Sequence, residues 1–242
     1  MSSTPQISTS SQVAADWVPE TAFGKWFLST QVWFRYVLTE AIVDLKAIAG
    51  ERGSGSQRLL DIGCGQGLAF GLLGEHFRPQ SIIGIDVDSR TLAKAEQHRS
   101  QWRCDVQLLR SSVTRLELAD SCIDTVFCHQ LLHHVADQES ALRELYRILV
   151  PGGILLVSES CSPFINSWPV RAFFRHPMRA QRPSQGYIDL LRSMGFEFSA
   201  NDVRESTPWW SLPDFGILRR WGWSRSQPET TELLVVATKP QR

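Results

Sequence analysis

Leu59-Leu60-Asp61-Ile62-Gly63-Cys64-Gly65-Gln66-Gly67 is a short apolar run that breaks into three alternating glycines. Within one helix length a second apolar run, Ile82-Ile83-Gly84-Ile85, ends in Asp86-Val87-Asp88. A glycine-rich turn after a strand leaves bare backbone against which a ligand can lie. An acid at the tip of the next strand can hold both hydroxyls of a ribose, because its two oxygens take two donors side by side. The glycines alone would equally serve a tight strand-to-helix turn with no ligand. Together with acids at the ends of two consecutive strand-like runs, they point to a nucleoside-containing cofactor.

Glycine spacing narrows the choice. The dinucleotide fingerprint is G-x-G-x-x-G, with the pyrophosphate on the helix N-terminus. Here Gly63, Gly65 and Gly67 are spaced G-x-G-x-G, and Leu68 stands where the last glycine of that fingerprint would be. The nicotinamide reading weakens accordingly. Asp61 through Gly67 instead resembles the first motif of the class I S-adenosylmethionine-dependent methyltransferases, an acid, one residue, then G-x-G-x-G. The resemblance implies S-adenosyl-L-methionine as cofactor. It also implies that Gly63, Cys64, Gly65 and Gly67 pass along the methionine part of that ligand and that Asp61 helps to neutralise its cationic end. Asp86 would hold the ribose and Val87 would pack on the adenine.

Two further segments extend the resemblance to about residues 58–160. Cys128-His129-Gln130-Leu131-Leu132-His133-His134-Val135 is similar to the Leu-His-His-Val segment of small-molecule methyltransferases grouped with the ubiquinone and menaquinone C-methyltransferases. Arg147-Ile148-Leu149-Val150-Pro151-Gly152-Gly153 matches their turn into the fifth strand, where proline ends the helix and glycine allows the reversal. One position departs from the pattern. Ser112 stands where many members carry an acid for the adenine amino group, so adenine binding would lean on the backbone amides of Ser112 and Val113. His129 joins the expected cofactor set.

With 242 residues, 43% hydrophobic and 21% charged, the chain is long enough for one large α/β domain with a full core. Its zero formal charge gives no general pull toward nucleic acid or an anionic membrane, so a small-molecule partner is expected. The segment after the fourth strand is also unlike the Asn/Asp-Pro-Pro-aromatic type of exocyclic-amine enzymes. Five cysteines form no C-x-x-C pair and no zinc-like spacing with histidine, so no metal is expected and a reducing, cytoplasmic location fits. No apolar run reaches the roughly 20 residues of a membrane span.

From residue 58 onward, strand-like and helix-like segments alternate, the pattern of a parallel sheet with crossovers. Strands are expected at 58–63, 81–87, 106–110, 123–128 and 153–159, with helices at 66–77, 89–99 and 137–148. A helix at 187–194, a strand at 196–203 and a last strand at 232–238 would follow. The fold expected is a doubly wound, Rossmann-like, mostly parallel sheet with a terminal antiparallel strand. Residues 1–16 read as a disordered tail and 17–242 as one domain: a helical cap at 17–57, the cofactor core at 58–160, a substrate-side region at 161–230, and the last strand and tail at 231–242. Apolar residues at helical spacing between Thr21 and Ala49 supply the cap.

Methyl transfer from a sulfonium requires alignment of the nucleophile, exclusion of water and, where the nucleophile carries a proton, its removal. His133 and His134, just past the fourth strand, are the candidates for that last task, since imidazole titrates near neutrality. Either could instead cap the following helix. Glu159, after strand five, reads as a solvated or helix-capping carboxylate. Trp209, Trp210 and parts of 160–185 are expected to face the acceptor. The basic, aromatic stretch Arg171–Arg182 reads as a solvated lid or as an anion-recognising face. The chemistry this favours is transfer of a methyl group to an O, N or C nucleophile of a small molecule. Aminopropyl transfer, intramolecular cyclisation and a non-catalytic binding or scaffold role on the same fold remain as alternatives.

Overall fold

The computed structural model describes residues 21–98, 102, 104–212, 221 and 229–241. The expected tail at 1–16 lies outside them.

The centre is a seven-stranded sheet built from β1 (Arg58–Ile62), β2 (Ser81–Asp86), β3 (Asp105–Arg110), β4 (Ile123–His129), β5 (Leu149–Ser160), β6 (Val203–Ser206) and β7 (Glu232–Thr238). Their order is β3-β2-β1-β4-β5-β7-β6, and β7 runs antiparallel to both of its neighbours. The chain therefore reverses direction across the sheet between β1 and β4, the topological switch at which sheets of this kind open a crevice. Both faces are buried, which is why the strands read as continuous apolar runs. Leu60, Ile62, Val126, Cys128, Leu155 and Val157 point to one side, beneath α6 (Gln138–Ile148) and α9 (Ser184–Ser193). Leu59, Phe127, Ile154 and Leu156 point to the other, beneath α3 (Glu40–Ala49) and α4 (Phe70–Phe77).

Differences from the sequence reading have local causes. The helix expected from 66 begins at Phe70, because Gly63, Gly65 and Gly67 take φ values of 78°, 52° and 74° and hold the chain in turns. The strand expected at 196–203 is absent as such. Ser199 and Asp202 close a capping box around the 3-10 turn Ala200–Asp202, leaving only an isolated bridge from Glu197 to Thr238, and pairing starts at Val203. The turn at Pro151-Gly152-Gly153 bulges within β5, where the register to β4 jumps from Ile123↔Leu149 to Thr125↔Ile154. Arg147 explains its own motif: it bonds Glu144, Asp120 and the carbonyls of Leu116 and Leu118, tying the 116–120 loop to α6.

The cap is more irregular than a pair of helices. It comprises α1 (Ala22–Phe27), α2 (Gln31–Trp33), a π-helical stretch Phe34–Thr39 and α3. Thr21 and Thr30 cap α1 and α2 by accepting from Gly24 and Trp33 N–H. α5 (Ser89–Gln97), α7 (Ser162–Ile165) and α8 (Trp168–Phe173) complete the helices. Among the described residues no helix is long and apolar enough to cross a membrane.

Glu232, at the start of β7, is 8% exposed and accepts from the Ser206 hydroxyl at 2.7 Å. Burial, reinforced by Asp44 and Glu40, pushes its carboxyl up to about 7. Its proton is held more tightly in the folded state than in the unfolded chain. The stability this gives is complete below about pH 4.5 and is lost as pH rises through about 7. Glu232→Gln should remove that loss. In urea melts, the variant should gain on the wild type between about pH 5 and pH 8 by at most about 3 kcal/mol.

Candidate active site

One large cleft opens at the carboxyl ends of the strands, with a volume of about 680 Å³. Its floor is the turn after β1. Gly63 and Cys64 N–H both donate to the Ile85 carbonyl, at 2.7 and 3.0 Å, which hangs the turn on β2. Asp86 then fixes it from the other side. One carboxylate oxygen accepts from Gly65 N–H at 2.9 Å and the other from Asp88 N–H at 2.8 Å.

The glycines do different jobs. A Cβ on Gly65 would meet nothing within 4 Å, so its bare backbone borders open cleft. Gly67, expected beside the cofactor, does not line the cleft. A Cβ there would strike the Phe70 ring at 2.6 Å, as would one on Gly84, so these two glycines let Phe70 close under the turn.

Asp61 is 3% exposed and its Oδ2 has no hydrogen-bond partner. Burial, with Asp86 adding repulsion, pushes its carboxyl up to about 8. Burial likewise raises Asp86, opposed by the N–H groups of Asp88 and Gly65. Two crowded acids, one of them orphaned, make a site short of positive charge. The expected Cys64, Val87, Ser112, Val113 and His129 all line the same cleft. Ser112 Oγ is shared with Thr114 Oγ1 at 2.8 Å. His129 stacks flat on Phe127 and meets Trp33 edge-on; burial, then the neighbouring His133, lowers it to about 3. Burial raises the thiols of Cys64, Cys128 and Cys161, so these sulfurs are poor nucleophiles.

His133 and His134 sit on the 3-10 turn Leu132–His134 at the far wall. Glu159, fully buried rather than solvated, organises that turn. Its carboxylate accepts from Leu131 and Leu132 N–H at 2.8 and 2.6 Å, more weakly from His133 N–H at 3.4 Å, and pairs with His133 Nδ1 at 2.7 Å. His133 thus turns its other ring nitrogen away from Glu159. Burial, then the adjacent His133, drives His134 well down and His176 down to about 3, so these rings are neutral.

The remaining wall is aromatic. Phe164, Trp168, Phe173 and Phe174 line it together with Trp209 and Trp210. Of the 171–182 stretch, the aromatics and His176 face the cleft, whereas Arg171, Arg175, Arg179 and Arg182 do not line it; Arg182 bonds Gln138 Oε1 instead. The roof comes from α1, within the cap expected at 17–57; the sequence reading missed which residues it meets. Phe23 packs against Phe173 at 4.9 Å with the rings tilted, Phe27 meets Phe174 edge-on, and Thr21 donates to the Phe173 carbonyl. Lys25 reaches Asp88 at 3.7 Å. It also missed His176, whose only signal was a histidine within an aromatic run.

Residues 60–157 match the model of a family described as a methyltransferase domain. Phosphoethanolamine N-methyltransferase 3 of Arabidopsis thaliana is 27% identical over 179 residues, 74% of this chain and 35% of the relative. The phosphoethanolamine N-methyltransferase of Triticum aestivum is 26% identical over 73% of this chain and 34% of its own length. The chain therefore spans about a third of the length of these curated relatives. An S-adenosylmethionine-dependent methyltransferase from Mesorhizobium loti, known as a crystal structure, superposes with a TM-score of 0.60 at 21% identity, covering 81% of this chain and 96% of that one. The methyltransferase-domain match over residues 60–157, with these relatives and this shared fold, supports an S-adenosylmethionine-dependent methyltransferase of class I, whose cofactor is S-adenosyl-L-methionine.

The residues present fit that cofactor: a buried, unpartnered carboxyl at Asp61 that a cation would satisfy, a bare cradle at Gly65, and a second acid, Asp86, at the tip of the next strand. A cation beside Asp61 should release its proton. At about pH 7, calorimetry of S-adenosylmethionine binding in buffers of differing ionisation enthalpy should show nearly one proton released. Asp61→Asn should abolish the buffer dependence. The two glycines should separate likewise. Gly65→Val should weaken cofactor binding, with a stability loss limited to left-handed strain of about 1–2 kcal/mol. Gly67→Ala should lower the melting temperature more than it changes affinity.

Proposed function

We propose that this protein transfers the methyl group of S-adenosylmethionine to an O, N or C nucleophile of a small, largely apolar molecule. The observation that carries the reading is the buried, unpartnered Asp61 carboxylate at the head of a bare glycine turn, in a cleft that continues into an aromatic chamber.

The cofactor supplies an activated methyl on a positively charged sulfur. Asp61 holds the cationic end and Asp86 the ribose, using lone pairs left over from its bonds to Gly65 and Asp88. Val87, Ser112 and Val113 border the adenine, with backbone amides supplying what the missing acid does not. Gly63, Cys64 and His129 complete the cofactor wall. Phe23, Phe173, Phe174 and Trp168 exclude water and align an apolar acceptor. His133, oriented by Glu159, accepts a proton from acceptors that carry one, and the neutral His134 beside it supplies a second nitrogen. Phosphoethanolamine, the substrate named for two relatives, would have to be held by Lys25 and Lys94, since the arginines of 171–182 do not line the cleft.

Asp86→Ala should lose measurable binding of S-adenosylmethionine and S-adenosylhomocysteine, with NAD as a negative control. With candidate acceptors, mass spectrometry should find S-adenosylhomocysteine as the product. Methylthioadenosine would point instead to aminopropyl transfer or intramolecular cyclisation. A folded protein that binds neither sulfur ligand would leave only the scaffold reading.

A further inference from the structure

Three of the six histidines meet at one point of the cleft wall. One nitrogen from each of His133, His134 and His176 lies within 4.8 Å of the other two, and the rings stand 4.3–5.2 Å apart between centroids. We propose that these imidazoles form a binding site for a divalent transition-metal ion of the zinc class, with an open coordination position facing the acceptor chamber.

Four observations carry this. His133 has its Nδ1 bonded at 2.7 Å to a fully buried Glu159, which leaves Nε2 as its ligand atom. Carboxylate–histidine–metal relays are built in this way, with the outer carboxylate fixing the ring and raising its basicity. His134 Nδ1 is buried and has no hydrogen-bond partner, a cost that a ligated ion would remove. The cluster is also held by buried amides and is no accident of one loop. Gln181 Nε2 donates to both the His133 and Pro177 carbonyls, at 2.7 and 3.1 Å, and Gln138 Nε2 to those of Leu132 and Ala180, at 2.9 and 2.8 Å. The 177–181 turn that follows His176 is thereby pinned to the turn carrying the other two. Finally, all three ligands are imidazoles, which suit zinc and its neighbours and not magnesium or calcium.

Around a tetrahedral ion with Zn–N bonds of about 2.0–2.1 Å, ligand nitrogens stand about 3.3 Å apart. With the His133 ring held by Glu159, rotation of the His134 and His176 rings about their side-chain bonds would supply the contraction from 4.8 Å. Three protein ligands leave a fourth position, as in catalytic rather than structural zinc sites. Here it would take an anionic oxygen or thiolate of the acceptor. An ion would also occupy the His133 nitrogen that otherwise accepts a proton, so the loaded and metal-free forms would favour different acceptors.

The test uses full-length, tag-free protein stripped with a chelator and then titrated with Co²⁺ and Zn²⁺ in the absence of S-adenosylmethionine. Its outcome is therefore independent of the methyl-transfer reading. One ion per chain should bind, with visible Co²⁺ absorption bands and a rise in melting temperature. His176→Gln and His134→Gln should each lose the ion while keeping the wild-type circular dichroism spectrum. Glu159→Gln should weaken binding by roughly 10–100-fold. His76→Ala, at a distant histidine on α4, should bind as the wild type does. Absence of Co²⁺ binding by the wild type would overturn the proposal, as would binding that survives in whichever of the two ligand variants is folded.

Discussion

A fully buried carboxylate at the end of the fifth strand holds one wall of the cleft together. Glu159 lies where a lone charge would be prohibitively costly, and the cost is met by two short N–H bonds, a third weaker one and an imidazole. These partners all come from the turn after β4, so the tips of two neighbouring strands are locked together by one side chain. The histidines, the Gln181 and Gln138 clamps and the aromatic wall beyond them take their positions from that turn. An apolar residue of similar size at 159 would orphan those donors at once.

The other half of the cleft is built on the opposite principle. Around the glycine turn, acids crowd together instead of being neutralised. Asp86 is bonded to the turn and Asp61 faces it without a partner. The free protein meets this electrostatic cost by keeping a proton on Asp61, so a positively charged ligand binds there in exchange for that proton. One end of the cleft is thus satisfied and rigid, while the other is unsatisfied and receptive.

The sequence exposed what is encoded locally. Alternating glycines, an acid before them and an acid closing the next apolar run are read within thirty or so residues, and the β-α alternation around them gave the sheet. Features that depend on chain distant in sequence were invisible. His176 meets His133 because the segment after α8 is pinned back by glutamines that carry no motif, and spacing along the chain gives no sign of that meeting. Local competition also misled: the capping box of Ser199 and Asp202 displaced a strand that apolar residues at 196, 198 and 203 suggested. At 171–182 composition was legible but orientation was not, since the aromatics turned inward and the arginines did not line the cleft.

The roof joins residues far apart in the chain. The hydrogen bond from Thr21 to Phe173 and the ring contacts of Phe23 and Phe27 with Phe173 and Phe174 link segments about 150 residues apart. During synthesis the sheet from β1 to β5 can assemble from contacts between successive units, whereas the cap's first helix has no partner until α8 has emerged. Until then Phe23, Trp26 and Phe27 have to be kept from other hydrophobic surfaces. The chamber is therefore a late product of folding, and a nascent chain can possess a cofactor turn before it has anywhere to put an acceptor.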